Sequence, residues 1–265
     1  EDMPILTFYP AQSDYTIKHT NRTNITYTVD ANAATPTTIQ ITDESMLAVE
    51  MSLSSTTSTD GYAFIGWQEI SQDANGNDIV KYISYDTKVT YAFRGTAQVR
   101  PQFVKYDEAT FYIQSQAEKK IAYSDFALAL KEAEELYKST KTNQVVIFES
   151  VFTIRGYTKP TAVTDALNKE AILAAGDYII PEGVTVLIPG DAERTVRVGD
   201  ANVDDFIDDN SFTNVRKLNV SDHTTITING RLSVYAVMSN KQGFNGQPIT
   251  YGQIDLGINS HIVAN

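Results

Sequence analysis

The chain lacks cysteine altogether. Disulfide staples and thiolate metal sites are therefore excluded, and the fold must hold by burial and hydrogen bonding. Tryptophan occurs once, at Trp67, and histidine only at His19, His223 and His261, too scattered for a zinc set. Nowhere do the roughly 20 successive apolar residues of a membrane-spanning helix occur. No secretory leader is visible at Glu1-Asp2-Met3-Pro4. Cations are also scarce: Lys and Arg number 21 against 33 acids, a net charge of −12. That balance argues against nucleic acid, which calls for a basic face, and against an anionic membrane surface. Gly-rich phosphate loops, a dinucleotide fingerprint and a Ser–His–Asp order are all missing.

What is present is alternation. The 265 residues suffice for two ordinary domains with full cores. Residues 1–106 read as all β. Leu6–Phe8, Tyr15–Ile17, Ile25–Val29 and Thr38–Ile41 alternate at the strand period, and Gly61–Trp67, Ile79–Tyr85, Val89–Phe93 and Val99–Phe103 follow. Asp73-Ala-Asn75-Gly76-Asn77-Asp78 is superficially calcium-like, but its Gly is misplaced for an EF-hand and Asn-Gly is a hairpin turn signal.

Residues 107–265 carry one amphipathic helix and then short strands. Ser124 is placed to cap that helix, with Asp125 in its first turn. Phe126, Ala129, Leu130, Ala133, Leu136 and Tyr137 form one apolar face. The strands after Gln144–Phe148 can be cut into coils of three: 177–180, 184–188 and 195–198; then 216–220, 224–228 and 231–237; then 252–258 and 260–264. Ile180, Val184, Val186, Ile188, Val196, Val198, Leu218, Val220, Ile226, Ile228, Leu232, Val234, Ile254, Leu256 and Ile262 would face inward, and Gly230 would supply a positive-φ turn. The third coil breaks off at Asn265, which reads as a truncation of a longer protein.

Two resemblances rest on these residues. Gly61-Tyr62-x-Phe64-x-Gly66-Trp67, a polar hairpin, a strand pair and Val99-x-x-x-Phe103 resemble a divergent internalin-type B-repeat. That family implies a small β-grasp-like module of bacterial surface proteins. Pro101 departs from its pattern and implies an edge strand or bulge. Tyr178-Ile-Ile-Pro181-Glu-Gly183-Val-Thr-Val-Leu-Ile-Pro189, the run Thr225–Val234 and Gly252–Leu256 resemble the opening rungs of pectate-lyase-like proteins. The likeness implies a right-handed parallel β-helix, with the helix near 124–138 capping its apolar end. The expected architecture is therefore mainly β: a β-grasp-like or all-β N-terminal module and a helix-capped β-helix.

Candidate chemistry lies in two long loops, 199–214 and 239–250, each expected to leave a coil at its third corner and so to emerge beside the other. Phe206, Phe212 and Phe244 could stack on sugar rings or fill a partner's pocket, and Asp208 and Asn245 could bind hydroxyls. Asp204, Asp205, Asp208 and Asp209 could supply oxygens to Ca2+, although no calcium-loop spacing is met. Other cofactors are not expected. Asp204/Asp208 or Asp205/Asp209 could in principle form a carboxylate pair for glycoside hydrolysis. On the outer strand faces, Thr225, Thr227, Asn219, Ser233 and Asp255, with Arg216, Lys217 and Arg231 nearby, form no recognisable catalytic set.

These features lead to the expectation of an extracellular, bacterial cell-surface adhesin. It would be a non-catalytic scaffold holding out loops to a host or matrix glycan or protein, with no nucleic-acid partner and no membrane insertion. A polysaccharide-degrading β-helix enzyme, lyase or hydrolase, and a structural stalk are the alternatives.

Overall fold

The computed structural model describes residues 3–11, 13–20, 26–29, 35–42, 48–58, 61–76, 78–160, 170–189, 215–234, 236–238 and 248–265. The chain is mainly β and divides into two compact units, 1–105 and 106–265.

The first unit carries strands β1 (Ile5–Phe8), β2 (Tyr15–His19), β3 (Thr26–Val29), β4 (Thr37–Gln40) and β5 (Ala48–Leu53). It continues with β6 (Tyr62–Gln72), β7 (Asp78–Ser84), β8 (Lys88–Ala92) and β9 (Ala97–Lys105). They form one sheet in the order β4-β1-β9-β6-β7 and another in the order β3-β2-β5-β8. Alternation explains why both sheets share a core. In β2, Tyr15, Ile17 and His19 are buried while Thr16 and Lys18 are not. Leu6, Phe8, Phe64, Trp67 and Val99 of one sheet join Tyr15, Ile17, Val49 and Met51 of the other in a single apolar cluster. Trp67 is its centre. Its ring lies edge-on to Tyr15 at 5.4 Å and to Phe64 at 5.3 Å, and its Nε1 donates to the Asp86 carbonyl at 3.0 Å.

The stretch that resembles a B-repeat is woven into this larger unit. Its β9 pairs with β1 and its β8 with β5, both partners lying upstream of the repeat. The described residues of the unit hold no helix, so of the two expectations for this part it is the all-β form that they show. Pro101 sits opposite Trp67, past Val99, where pairing with β1 ends; one edge of β9 is open there, the setting a proline tolerates. Gly66 marks a register shift against β9, and a Cβ on it would lie 2.9 Å from the Tyr82 ring. Asp73–Gly76 is the turn between β6 and β7: the Asn75 N–H donates to Asp73 Oδ1 at 2.8 Å and the Gly76 N–H to the Asp73 carbonyl at 3.0 Å.

The second unit begins with β10 (Phe111–Ile113), a 3-10 turn, α1 (Phe126–Thr140), β11 (Gln144–Phe148) and a short α2 (Val151–Arg155). The last corrects the expectation of a single helix. Asp125, not Ser124, caps α1: its carboxylate accepts from the Leu128 N–H at 3.1 Å. The apolar stripe behaves as its spacing requires. Phe126, Ala129, Leu130 and Ala133 are buried, and Phe126 stacks on Phe111 at 4.4 Å and meets Tyr178 at 5.1 Å.

Then come β12 (Glu170–Leu173), β13 (Asp177–Ile180), β14 (Val184–Ile188), β15 (Val215–Val220), β16 (Thr225–Ile228), β17 (Arg231–Val234), β18 (Ala236–Met238), β19 (Pro248–Leu256) and β20 (His261–Ala264). Apart from β18 and β19, which pair with each other, successive strands join different sheets. The parallel stacks are β12-β15-β19, β13-β16-β20 and β11-β14-β17, with β10 antiparallel on β11 and β18 antiparallel on the start of β19. Like therefore lies on like: Leu173 on Val220 on Leu256, Ile180 on Ile228, Val186 on Leu232.

For the second and third groups the expected cut agrees with the register in laying 216–220 on 252–256 and 225–228 on 261–264, but 231–237 is two strands, β17 and β18, in different sheets. The cut is out of phase for the first group. Asp177–Ile180 pairs with Thr225–Ile228 rather than with Leu218–Val220, because Glu170–Leu173 is the strand beneath Lys217–Val220. A four-residue strand, Glu-Ala-Ile-Leu, whose three apolar residues run together without alternation, is too short for periodicity to single out. Val196 and Val198 lie outside the described residues. Burial fades along the stack: Leu173 is 2% exposed, Val220 4%, but Leu256 46% and Val234 51%. Pro248–Thr250, expected within a loop, belongs to β19.

Close approach explains the glycines here. Gly230 does not adopt positive φ; a Cβ there would collide with the Pro181 and Val184 carbonyls, so the turn needs the missing side chain rather than the left-handed backbone. Gly183 has φ +75°, and a Cβ on it would overlap the Tyr137 ring of α1. Gly183→Ala should therefore cost about 1–3 kcal/mol, read as faster hydrogen exchange of the α1 amides.

His19 gives a second test. Its ring is buried 5.7 Å from Tyr27, and neither ring nitrogen has a hydrogen-bond partner among the described residues. Burial holds its pKa below the ordinary value. The unfolded chain then binds the proton more readily, so stability is full above about pH 7 and falls as pH drops through the unfolded value of about 6.5 toward the folded one. Denaturant titrations followed by Trp67 fluorescence should show this slope, and His19→Leu should flatten it.

Candidate functional site

The residues singled out for binding, Phe206, Asp208, Phe212, Phe244 and Asn245, lie outside the described residues, as do the Ca2+ candidates Asp204, Asp205 and Asp209. What the structure does place is the chain on either side of them. Segment 190–214 follows β14 and precedes β15, and 239–247 follows β18 and precedes Pro248. Ile188, at the end of β14, pairs with Val234 of β17, and Val215, at the start of β15, pairs with Tyr251 within β19, while Met238 and Pro248 on either side of 239–247 pair with each other. Among the described residues no cluster of His, Asp or Glu is arranged to hold a metal ion.

Two polar features of the second unit escaped the sequence. The first is on the outer face of the β12-β15-β19 sheet. Glu170, Lys217 and Gln253 stand in one register row, and Ile172, Asn219 and Asp255 in the next outward one. Lys217 Nζ lies 3.3 Å from Glu170 and 3.5 Å from Asp255, and Gln253 Nε2 donates to Asp255 at 2.5 Å. The hydrogen bond to Glu170, with the charges of both carboxylates, holds the Lys217 ammonium above its usual pKa, against a smaller opposing effect of burial. Sequence spacing gives no sign of this row, since its members are brought together only by the register of three strands.

The second is a groove of about 740 Å3 between α1 and β13. Ala127, Leu130, Lys131 and Glu134 line one wall, at the spacing that puts them along one stripe of a helix. Asp177, Tyr178, Ile179, Pro181 and Glu182 form the other, with Asn229 at the end. Tyr178 is held from behind: its hydroxyl donates to the Ala174 carbonyl at 2.8 Å. Burial first, and the Asp125 carboxylate second, raise its pKa, so it stays a neutral phenol at physiological pH. Glu134 is bridged by Lys138 at 2.7 Å, one turn along the helix.

The charged row is exposed to water, which screens it. Lys217→Met should therefore cost less than about 1 kcal/mol. Its raised pKa implies stability that is present at neutral pH and lost as pH rises through the folded value above about 10.5. Thermal unfolding of the wild type and of Lys217→Met should differ slightly at pH 7 and converge at high pH.

No family model matches the chain, and neither a curated protein nor a solved structure matches it.

Proposed function

We propose that the chain is a binding protein of the bacterial cell surface. In this reading residues 106–265 wind as a helix-capped right-handed parallel β-helix, and the segments 199–214 and 239–247 contact a host or matrix glycan or protein. The single observation that supports it is the parallel register of β15 on β19, which sets the start of β15, after segment 190–214, beside the strand that follows 239–247. Adjacent insertions on a regular strand scaffold are a common way to build a contact surface. The pattern of three parallel stacks, which take β12 to β17 in rotation and then β19 and β20, supports the coil. The internalin-type likeness of 61–103 supports the surface location.

A binding role fits the outer face better than a catalytic one. Lys217 is the cation best placed beside carboxylates there, yet its protonated form is stabilised, which removes it as a general base near neutral pH.

The test is an array of glycans and immobilised matrix proteins probed with the whole chain. The chain should bind at least one ligand. Phe206→Ala with Phe244→Ala should weaken that binding at least ten-fold, about 1.4 kcal/mol or more, with thermal unfolding unchanged. An array without a ligand, or binding indifferent to both substitutions, would overturn the reading.

A further inference from the structure

The groove beside α1 has an unpaired strand edge for one wall. In the stack β13-β16-β20, β13 is bonded on one side only among the described residues. The Thr225 N–H donates to the Gly176 carbonyl at 3.1 Å and the Asn229 N–H to the Ile180 carbonyl at 2.9 Å. In a strand the main-chain groups of successive residues point to opposite edges, so 176, 178 and 180 face β16. The N–H and C=O of Asp177 and Ile179 then face the other way, toward the groove. Neither residue makes a main-chain hydrogen bond there among the described residues.

An open edge of this kind is a template for a further strand. Beside this edge α1 stands off far enough to leave about 740 Å3. The far end of the gap is closed, since Tyr137 of α1 lies tight on Gly183. The lining sets the chemistry of the occupant. Ala127, Leu130 and Pro181 offer an apolar wall, and the Ile179 side chain is 57% exposed. Asp177 and Glu182 bracket the strand, and neither forms an ion pair among the described residues; the cation on the rim is Lys131.

We propose that this groove binds an extended peptide by strand addition to β13, the peptide carrying aliphatic residues at its centre and Lys or Arg toward both ends. Main-chain bonds to Asp177 and Ile179 supply the affinity. The α1 wall selects alternate aliphatic side chains, and the two carboxylates select the basic ends. At about 3.3 Å per residue, the four residues of β13 match a peptide of about four to six residues. None of the lining residues belongs to 199–214 or 239–247, so the failure of this proposal and that of the surface-binding reading are read in different experiments.

The experiment uses the whole chain and a fluorescein-labelled peptide, Lys-Val-Ala-Val-Lys amide, followed by polarisation. Saturable binding is expected, at least ten-fold tighter than that of Glu-Val-Ala-Val-Glu amide. Two versions of the basic peptide, N-methylated on alternate residues in opposite phase, should differ: one phase blocks the ladder and loses at least ten-fold, the other binds nearly as the parent. Ile179→Pro removes only a donor that faces the groove and should also lose ten-fold. Asp177→Lys with Glu182→Lys, both at the exposed rim, should reverse the preference between the basic and acidic peptides. Each variant is checked by its thermal unfolding, and the peptide arms need no variant at all. No saturation up to about 1 mM, equal loss in both methylation phases, or retained affinity in folded Ile179→Pro would overturn the proposal. So would sedimentation showing a dimer that Ile179→Pro dissolves, since the edge would then serve a second copy.

Discussion

Parallel register is the constraint on which the second unit rests. Once Thr225–Ile228 is placed on Asp177–Ile180 in step, every buried side chain finds a counterpart one strand away, and a slip by one residue would turn the apolar set to water. The polar corners obey the same rule. Thr224 with Ser260, Asp222 with Ile258, and Asn229 with Asn265 are each bonded across 36 residues, so the turns are held in the register that the strands impose. Gly230 shows how tight that register is, for it lies where the carbonyls of Pro181 and Val184 leave no room for a Cβ. The charged row at Glu170, Lys217 and Asp255 is the same device seen from outside, where it settles neighbours in place without adding much stability.

The first unit solves a different problem. Its two sheets meet over one cluster, and its longest strand, β6, carries both Phe64 and Trp67 into it. The indole satisfies its single donor at the Asp86 carbonyl, so the largest side chain of the core is buried without an unpaired polar atom. His19 is the exception in the same unit, a buried ring with both nitrogens lacking partners among the described residues. A buried polar group of that kind lowers stability and makes it depend on pH.

The groove beside α1 follows from a mismatch between a helix and a strand edge. The helix buries Phe126, Ala129, Leu130 and Ala133, yet a helix cannot offer a strand edge the hydrogen bonds that another strand would. Where α1 packs against β10, β11 and β13, side chains fill the interior and the main chain of β13 is left without a strand partner on that side among the described residues. No run of residues signals that edge.

Much of the strand set was legible because alternation is a local property. Thr225–Ile228, Val184–Ile188 and Tyr15–Ile17 each declare a strand within a few residues, and the Phe126–Ala133 spacing declares a helix. Less was legible of Glu170–Leu173, too short to show a period, and of Val151–Arg155, whose buried face reads equally well as a strand. Of the candidate binding residues, Phe206, Phe212 and Phe244 were chosen from composition, and their place in the structure is not among what is described. By itself the sequence determined what is absent, the sign of the charge, and which short runs turn one face inward, since all of these depend on residues close in the chain. Tertiary structure alone decided which strand lies on which, and hence that Glu170 meets Lys217 and that the edge of β13 faces α1. Pairing between strands depends on long-range closure and packing, and no local period encodes it.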